Sequence, residues 1–272
     1  MPTDLPAPQT PRLREGTARS YPSLRAIGAL MLREIYTSNG RTPGGFIWSI
    51  LDPVAGLMIM TVAFALVFRD PPLGHSFALF YATGILPYTM FRGISMKVAS
   101  SVNYSRQLLV YPAITFLDPI IARFLVNLFV ELVVAYLILG VIFTFIEMPA
   151  SIDVPLLMQG FALTAVLGLG FGVMLAYPFT RSPLWQTMWG LITRPLMIFS
   201  CVLFTFESVP DKFRWLFWYN PVTHTVGMVR DSIYPTYNAQ YTLPIYPAAL
   251  SLVTCALGIL LLRRYYREAL DT

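Results

Sequence analysis

The chain has 272 residues, of which 56% are hydrophobic and 12% charged, with a mean hydropathy of +0.61 and a formal net charge of +5. Soluble domains carry roughly 25% charged residues, so the composition excludes an ordinary soluble enzyme and points to an all-α, polytopic membrane protein. Its positive charge is accounted for by membrane orientation; no basic patch carries interleaved aromatics, so no nucleic-acid partner is expected.

Residues 1–20 contain Pro2, Pro6, Pro8 and Pro11 and lack the apolar core of a signal peptide, which reads as a disordered cytosolic tail. Residues 21–272 read as one transmembrane domain. Within it, 21–39 has Pro22 at a plausible first helical position and Leu24, Ile27, Met31 and Ile35 on one face, the pattern of a helix lying in the cytoplasmic membrane interface. The glycines of "SNGRTPGGFIWSILDP" (38–53) invite a phosphate-loop reading. That loop needs a lysine and a hydroxyl residue opening a helix, whereas Gly45 is followed by Phe46, Ile47 and Trp48. A sharp turn from a surface helix into a spanning one is the better reading.

Spans of roughly the 20 residues that cross a bilayer are expected at 46–68, 76–91, 116–146, 154–179, 184–206 and 244–262. Six spans put both termini on one side. Arg12, Arg14, Arg19, Arg25, Arg33, Arg41, Arg92, Lys97, Arg106, Arg181, Arg263, Arg264 and Arg267 crowd that side, against Arg69, Lys212, Arg214 and Arg230 on the other, so both termini are expected in the cytoplasm. In the third span Arg123, Asn127 and Glu131 recur every fourth residue, a polar stripe about 12 Å long. Such residues face a bundle interior or water, which leaves two readings open: hydrogen bonding to neighbouring helices, or a polar translocation surface. Arg194-Pro195 poses the same choice in the fifth span. In "GLGFG" (168–172) of the fourth, Gly168 and Gly172 form a small-xxx-small pair suited to close helix packing.

Between the last two spans, Asn220-Pro221 is an N-cap followed by a first helical residue. It splits 210–235 into two short external helices, with Phe213, Leu216 and Phe217 on one face before it and Val222, Val226, Val229 and Ile233 on one face after it. Cys201 and Cys255 lie in apolar runs with no partner at metal spacing, and His75 and His224 lie in separate loops, His224 as a capping or interface residue. No paired carboxylates or nucleophile with a base converge, so no catalytic residue, metal or cofactor is assigned to this chain.

Three blocks, "LMLREIYTSNGRTPGGFIWSILDPV" (30–54), "YPAITFLDPIIARFLVN" (111–127) and "SVPDKFRWLFWYNPVTHTVGMVRDSIYPTY" (208–237), resemble in sequence and spacing the permease subunit of bacterial capsular polysaccharide exporters, within the ABC-2 class of ATP-binding-cassette transporters. The resemblance implies an inner-membrane homodimer with a central conduit. Two separate cytosolic ATPase subunits would bind ATP and Mg, and periplasmic adaptor and outer-membrane export proteins would receive an acidic, lipid-linked polysaccharide. It further implies an access segment around Arg33, Glu34, Arg41 and Trp48, ATPase coupling through Lys97, Arg106 and Arg181, and an external gate of Trp218, Tyr219, Asn220, Pro221 and His224. Tyr88, Arg123, Asn127, Glu131, Trp189 and Arg194 are the candidates to line the conduit. Relatives often have a more basic access segment than Ser38, Asn39 and Pro43 allow here. Export of another lipid-linked glycan, such as O-antigen or teichoic acid, is the alternative; a stand-alone channel or membrane enzyme is a distant one.

Overall fold

Helix starts are set by side chains that accept from otherwise unpaired backbone N–H groups. Ser76, Asp153, Ser182 and Asn220 each cap one, accepting from Leu79, Leu156, Leu184 and Val222, and a proline stands in the first turn behind the last three. The computed structural model describes residues 22–39, 45–67, 70–109, 114–146 and 151–271. Among them every regular element is helical: α1 (Pro22–Asn39), α2 (Gly45–Val67), α3 (Phe77–Ala99), α4 (Ser101–Ser105), α5 (Leu117–Phe145), α6 (Val154–Arg181), α7 (Pro183–Phe199), a 3-10 turn (Phe206–Ser208), α8 (Asp211–Trp218), α9 (Pro221–Ile233) and α10 (Ile245–Asp271). The tail at 1–20 and the turn at 40–44 lie outside the described residues. By length and composition α5, α6 and the Ile245–Tyr265 part of α10 are able to cross a membrane, and α2 holds a shorter apolar stretch, Pro53–Leu66.

Packing centres on α6, which lies between α3 and α10. Glycines make both approaches close. A Cβ on Gly172 would stand 2.6 Å from the Val98 side chain of α3, and one on Gly170 would stand 2.5 Å from the Ser251 carbonyl oxygen of α10. Gly168 meets Ile94 of α3 in the same way. With no side chain between them the backbones gain dispersion contacts, the main source of helix association where no water is displaced.

Three boundaries differ from the hydropathy pattern, one of them at the last span, where α10 runs past the expected 262 to Asp271. The stretch at 76–91 is only part of α3, which continues to Ala99: Arg92 and Lys97 end the apolar run, but nothing in their backbone preference ends a helix. The stretch at 184–206 is helical only to Phe199, and Cys201 takes φ of 55°. Its apolar remainder, with Cys201, Val202 and Phe206, is buried beneath α8 and α9 rather than continuing a span.

The face of α1 also differs. Leu24 and Ile35 stay exposed, while Leu30 and Glu34 are buried against α5. A carboxylate displaced an apolar residue from the packed stripe because α5 supplies it with a cation.

Candidate functional site

The polar groups that sequence reading singled out fall into three clusters, at one end of the helices, along their middle, and at the opposite end.

At the end carrying Lys97 and Arg106, Arg123 grips Glu34 through both arms of its guanidinium: Nε donates to Oε2 at 3.0 Å, and Nη2 stands 3.0 Å from Oε1. The pair is buried, with side chains 7% and 11% exposed. Arg123 Nη1 donates to the Lys97 carbonyl at 3.2 Å, and Cζ lies 4.1 Å from the centre of the Tyr104 ring. Arg33 in turn donates to the Tyr104 carbonyl at 3.3 Å. A fork-to-fork pair with its remaining donor satisfied and an aromatic face beneath it compensates well for desolvation. Four elements, α1, α3, α4 and α5, meet at this one guanidinium. Lys97 and Arg181 are exposed and Arg106 is half-buried in the turn after α4. Arg41 lies outside the described residues, as does the side chain of Trp48 on α2.

Along the middle, Asn127 donates back to the Arg123 carbonyl at 2.7 Å, and the Glu131 carboxyl packs directly on Gly93 of α3. Arg123 and Glu131 of this stripe thus meet neighbouring helices. Tyr88 and Trp189 are enclosed too: the Tyr88 hydroxyl donates to the Thr193 carbonyl, Trp189 Nε1 donates to Ser95 Oγ at 3.3 Å, and the indole stacks on Phe171. Both rings lie inside the chain's own packing. Arg194 is different, exposed on α7 beside Leu191, Ile192 and Ile198, which are also exposed. Among the described residues it forms no ion pair. An apolar helix face carrying an open cation does not suit hydrocarbon.

At the opposite end the short helices form a clasp. Asn220 caps α9 and donates to Ser200 Oγ at 2.9 Å, and Pro221 occupies the first helical position. His224 is fully buried, with Nε2 2.8 Å from the Trp218 carbonyl oxygen and Nδ1 accepting from Leu243 N–H at 3.1 Å. An acceptor role at Nδ1 leaves Nε2 as the protonated nitrogen, so the ring is held neutral. Burial pushes its pKa below the ordinary value, and the Trp218 carbonyl offsets part of that shift. Trp218 stacks on Tyr246 and donates to the Tyr241 carbonyl, while Tyr219 is exposed and its carbonyl accepts from the Tyr246 hydroxyl. These residues tie the α8–α9 corner to the start of α10.

Sequence reading placed Arg230 among the charges outside the membrane. In the structure Arg230 is fully buried within the chain, its Nη1 donating to the carbonyls of Cys201 at 2.7 Å and Phe204 at 2.8 Å, its Nη2 to that of Val202 at 2.8 Å, with Cζ 4.3 Å from the centre of the Phe80 ring. It satisfies carbonyls of the turn that follows α7. The signal was in the spacing, since Arg230 falls on the face of α9 made by Val222, Val226, Val229 and Ile233, all fully buried. Tyr104 had no such signal.

Among the described residues polar groups pair between helices, Arg194 lies open on α7, and no nucleophile and base converge. Comparison with known proteins decides between transport families: the ABC-2 type transporter family matches residues 25–234, from α1 through α9. The chain belongs to the ABC-2 type transporter family. Individual ABC-2 relatives are similar over nearly their whole length. The polysialic acid transport protein KpsM of Escherichia coli is 28% identical over 238 residues, covering 87% of this chain and 92% of its own. The capsule polysaccharide export inner-membrane protein CtrC of Neisseria meningitidis serogroup B is 25% identical over 244 residues, covering 89% and 91%. BexB of Haemophilus influenzae, also a capsule polysaccharide export inner-membrane protein, is 22% identical over 210 residues, covering 77% and 79%.

Proposed function

We propose that this chain is the membrane-spanning subunit of an ATP-driven exporter that moves capsular polysaccharide, acidic and lipid-linked, across the bacterial inner membrane. The observation that carries this reading is similarity to capsule-export inner-membrane proteins along nearly all of both chains, within a matched ABC-2 family. Two copies face each other across a conduit, and the exposed Arg194 face of α7 supplies the polar wall that lipid could not cover. Separate ATPase subunits bind Mg-ATP and press on the loops after α3 and α6, where Lys97, Arg106 and Arg181 lie. Both termini are cytoplasmic, and the polymer passes to periplasmic adaptor and outer-membrane proteins. The α8–α9 corner closes the outer end.

Deleting the gene in its own organism tests this. Loss of surface capsule with acidic polymer accumulating inside the cell, restored by the unmodified chain, is expected. Normal capsule, with a different glycan retained inside, would overturn the substrate assignment.

A further inference from the structure

The buried Glu34–Arg123 pair joins two parts of the chain to which the proposed mechanism gives different tasks. Glu34 belongs to α1, the helix beside which substrate gains access. Arg123 lies on α5 but rests on Tyr104 of α4 and bonds the Lys97 carbonyl of α3, both in the segment on which the ATPase acts. Arg33 closes the loop by donating to the Tyr104 carbonyl. Contact between α1 and the rest of the bundle falls mainly on α5, so this cluster is the polar fastening of an otherwise peripheral helix. Leu30 packs beside it, while Leu24, Leu32, Ile35 and Tyr36 of α1 are exposed.

We propose that Glu34, Arg123 and Tyr104 form a transmission joint: α1 and the 101–109 segment move as one body, so a push from the ATPase displaces α1 directly, and α1 is not a lateral gate that swings alone. The three are positioning residues, acting through the helices they join and not through contact with polymer. The inference rests on the ATP-driven reading above. Mechanically it requires that the fastening survive the working cycle. A buried bidentate pair suits that, because parting it would leave two uncompensated charges away from water.

The test uses the full chain with its ATPase in proteoliposomes, spin-labelled in pairs at Tyr36→Cys with Gln107→Cys, and at Tyr36→Cys with Arg263→Cys, on α10. The background carries Cys255→Ala, and labelled chain is diluted with unlabelled chain so that only distances within one copy are read. Tyr36, Gln107 and Arg263 are exposed and outside the joint. On trapping with ATP and vanadate, the 36–107 distance should change by less than about 2 Å while the 36–263 distance changes by more. A 36–107 distance that changes as much as 36–263 would overturn the joint while leaving ATP-driven motion intact. Trapping that moves neither distance would overturn the ATP-driven reading, and the joint with it.

A second measurement separates coupling from folding. Glu34→Gln, Arg123→Gln and the double variant are assayed for assembly with the ATPase, ATP hydrolysis and polymer transport. Assembly and hydrolysis should hold within about twofold while transport falls about tenfold or more, the double variant no worse than either single one, as expected of residues acting as a unit. Loss of assembly in step with transport, or multiplying defects in the double variant, would reduce the cluster to a structural contact.

Discussion

Arg230 shows how one buried cation holds the turn that follows a helix. Beyond α7 the carbonyls of Cys201, Val202 and Phe204 need partners; Arg230 gathers them where the chain turns through Cys201. Arg230→Met keeps the length and apolar stem but leaves these acceptors unpaired, at roughly 1–3 kcal/mol for each one that finds no substitute. Thermal unfolding in detergent should show a clearly lowered midpoint for Arg230→Met, with a smaller drop for Arg230→Lys, which retains charge but not the fork. An unchanged midpoint for both would remove Arg230 from the account of that turn. His224 gives a pH dependence. Its folded pKa lies below the ordinary 6.5, so the unfolded chain binds the proton more readily. The stability it contributes is complete above pH 6.5 and is lost as pH falls through the folded value. Midpoints measured from pH 7.5 down to pH 5 should fall more steeply for the unmodified chain than for His224→Gln. Parallel curves would show that the ring does not titrate in this way.

At the scale of elements, α6 bears the consequence of its glycines. Gly172→Val would push a branched side chain into Val98 and the Ser95 carbonyl of α3. It should lower both the yield of folded protein and its unfolding midpoint, whereas the same change at Gly190 on α7, where a Cβ meets nothing within 4 Å, should cost far less. Equal effects at the two positions would mean that helix propensity, not packing, sets the cost. Elements were legible in the sequence where local signals act alone. Asn220-Pro221 starts α9, and Val222, Val226, Val229 and Ile233 form its buried face because a helical repeat of apolar residues needs only a surface to pack on. Reading failed where a distant residue decides. Hydropathy carries 184–206 onward as a span, but the side chain that draws those carbonyls away lies on α9. The face of α1 was misjudged for the same reason: Glu34 is buried only because Arg123, 89 residues later, meets it.

For the whole molecule, composition gave the class, since so few charges and so many apolar residues cannot make a soluble core. Family membership followed from blocks spread along the chain. What single-residue reasoning could not separate was packing from conduit. Arg123, Asn127, Glu131, Tyr88 and Trp189 were grouped with Arg194 as candidates, yet Arg123, Glu131, Tyr88 and Trp189 meet neighbouring helices of the chain, Asn127 bonds back to its own helix, and Arg194 is exposed. Amphipathic spacing marks a polar face, but whether a second helix or a water-filled path lies opposite depends on how all the helices are arranged. The most direct measurement is transport itself, in inside-out membrane vesicles containing this chain and its ATPase and supplied with lipid-linked capsular polymer. Polymer should become protected in the lumen only when ATP is hydrolysed and only when this chain is present. Protection without ATP, or equal protection in vesicles lacking the chain, would mean that it is not the export path.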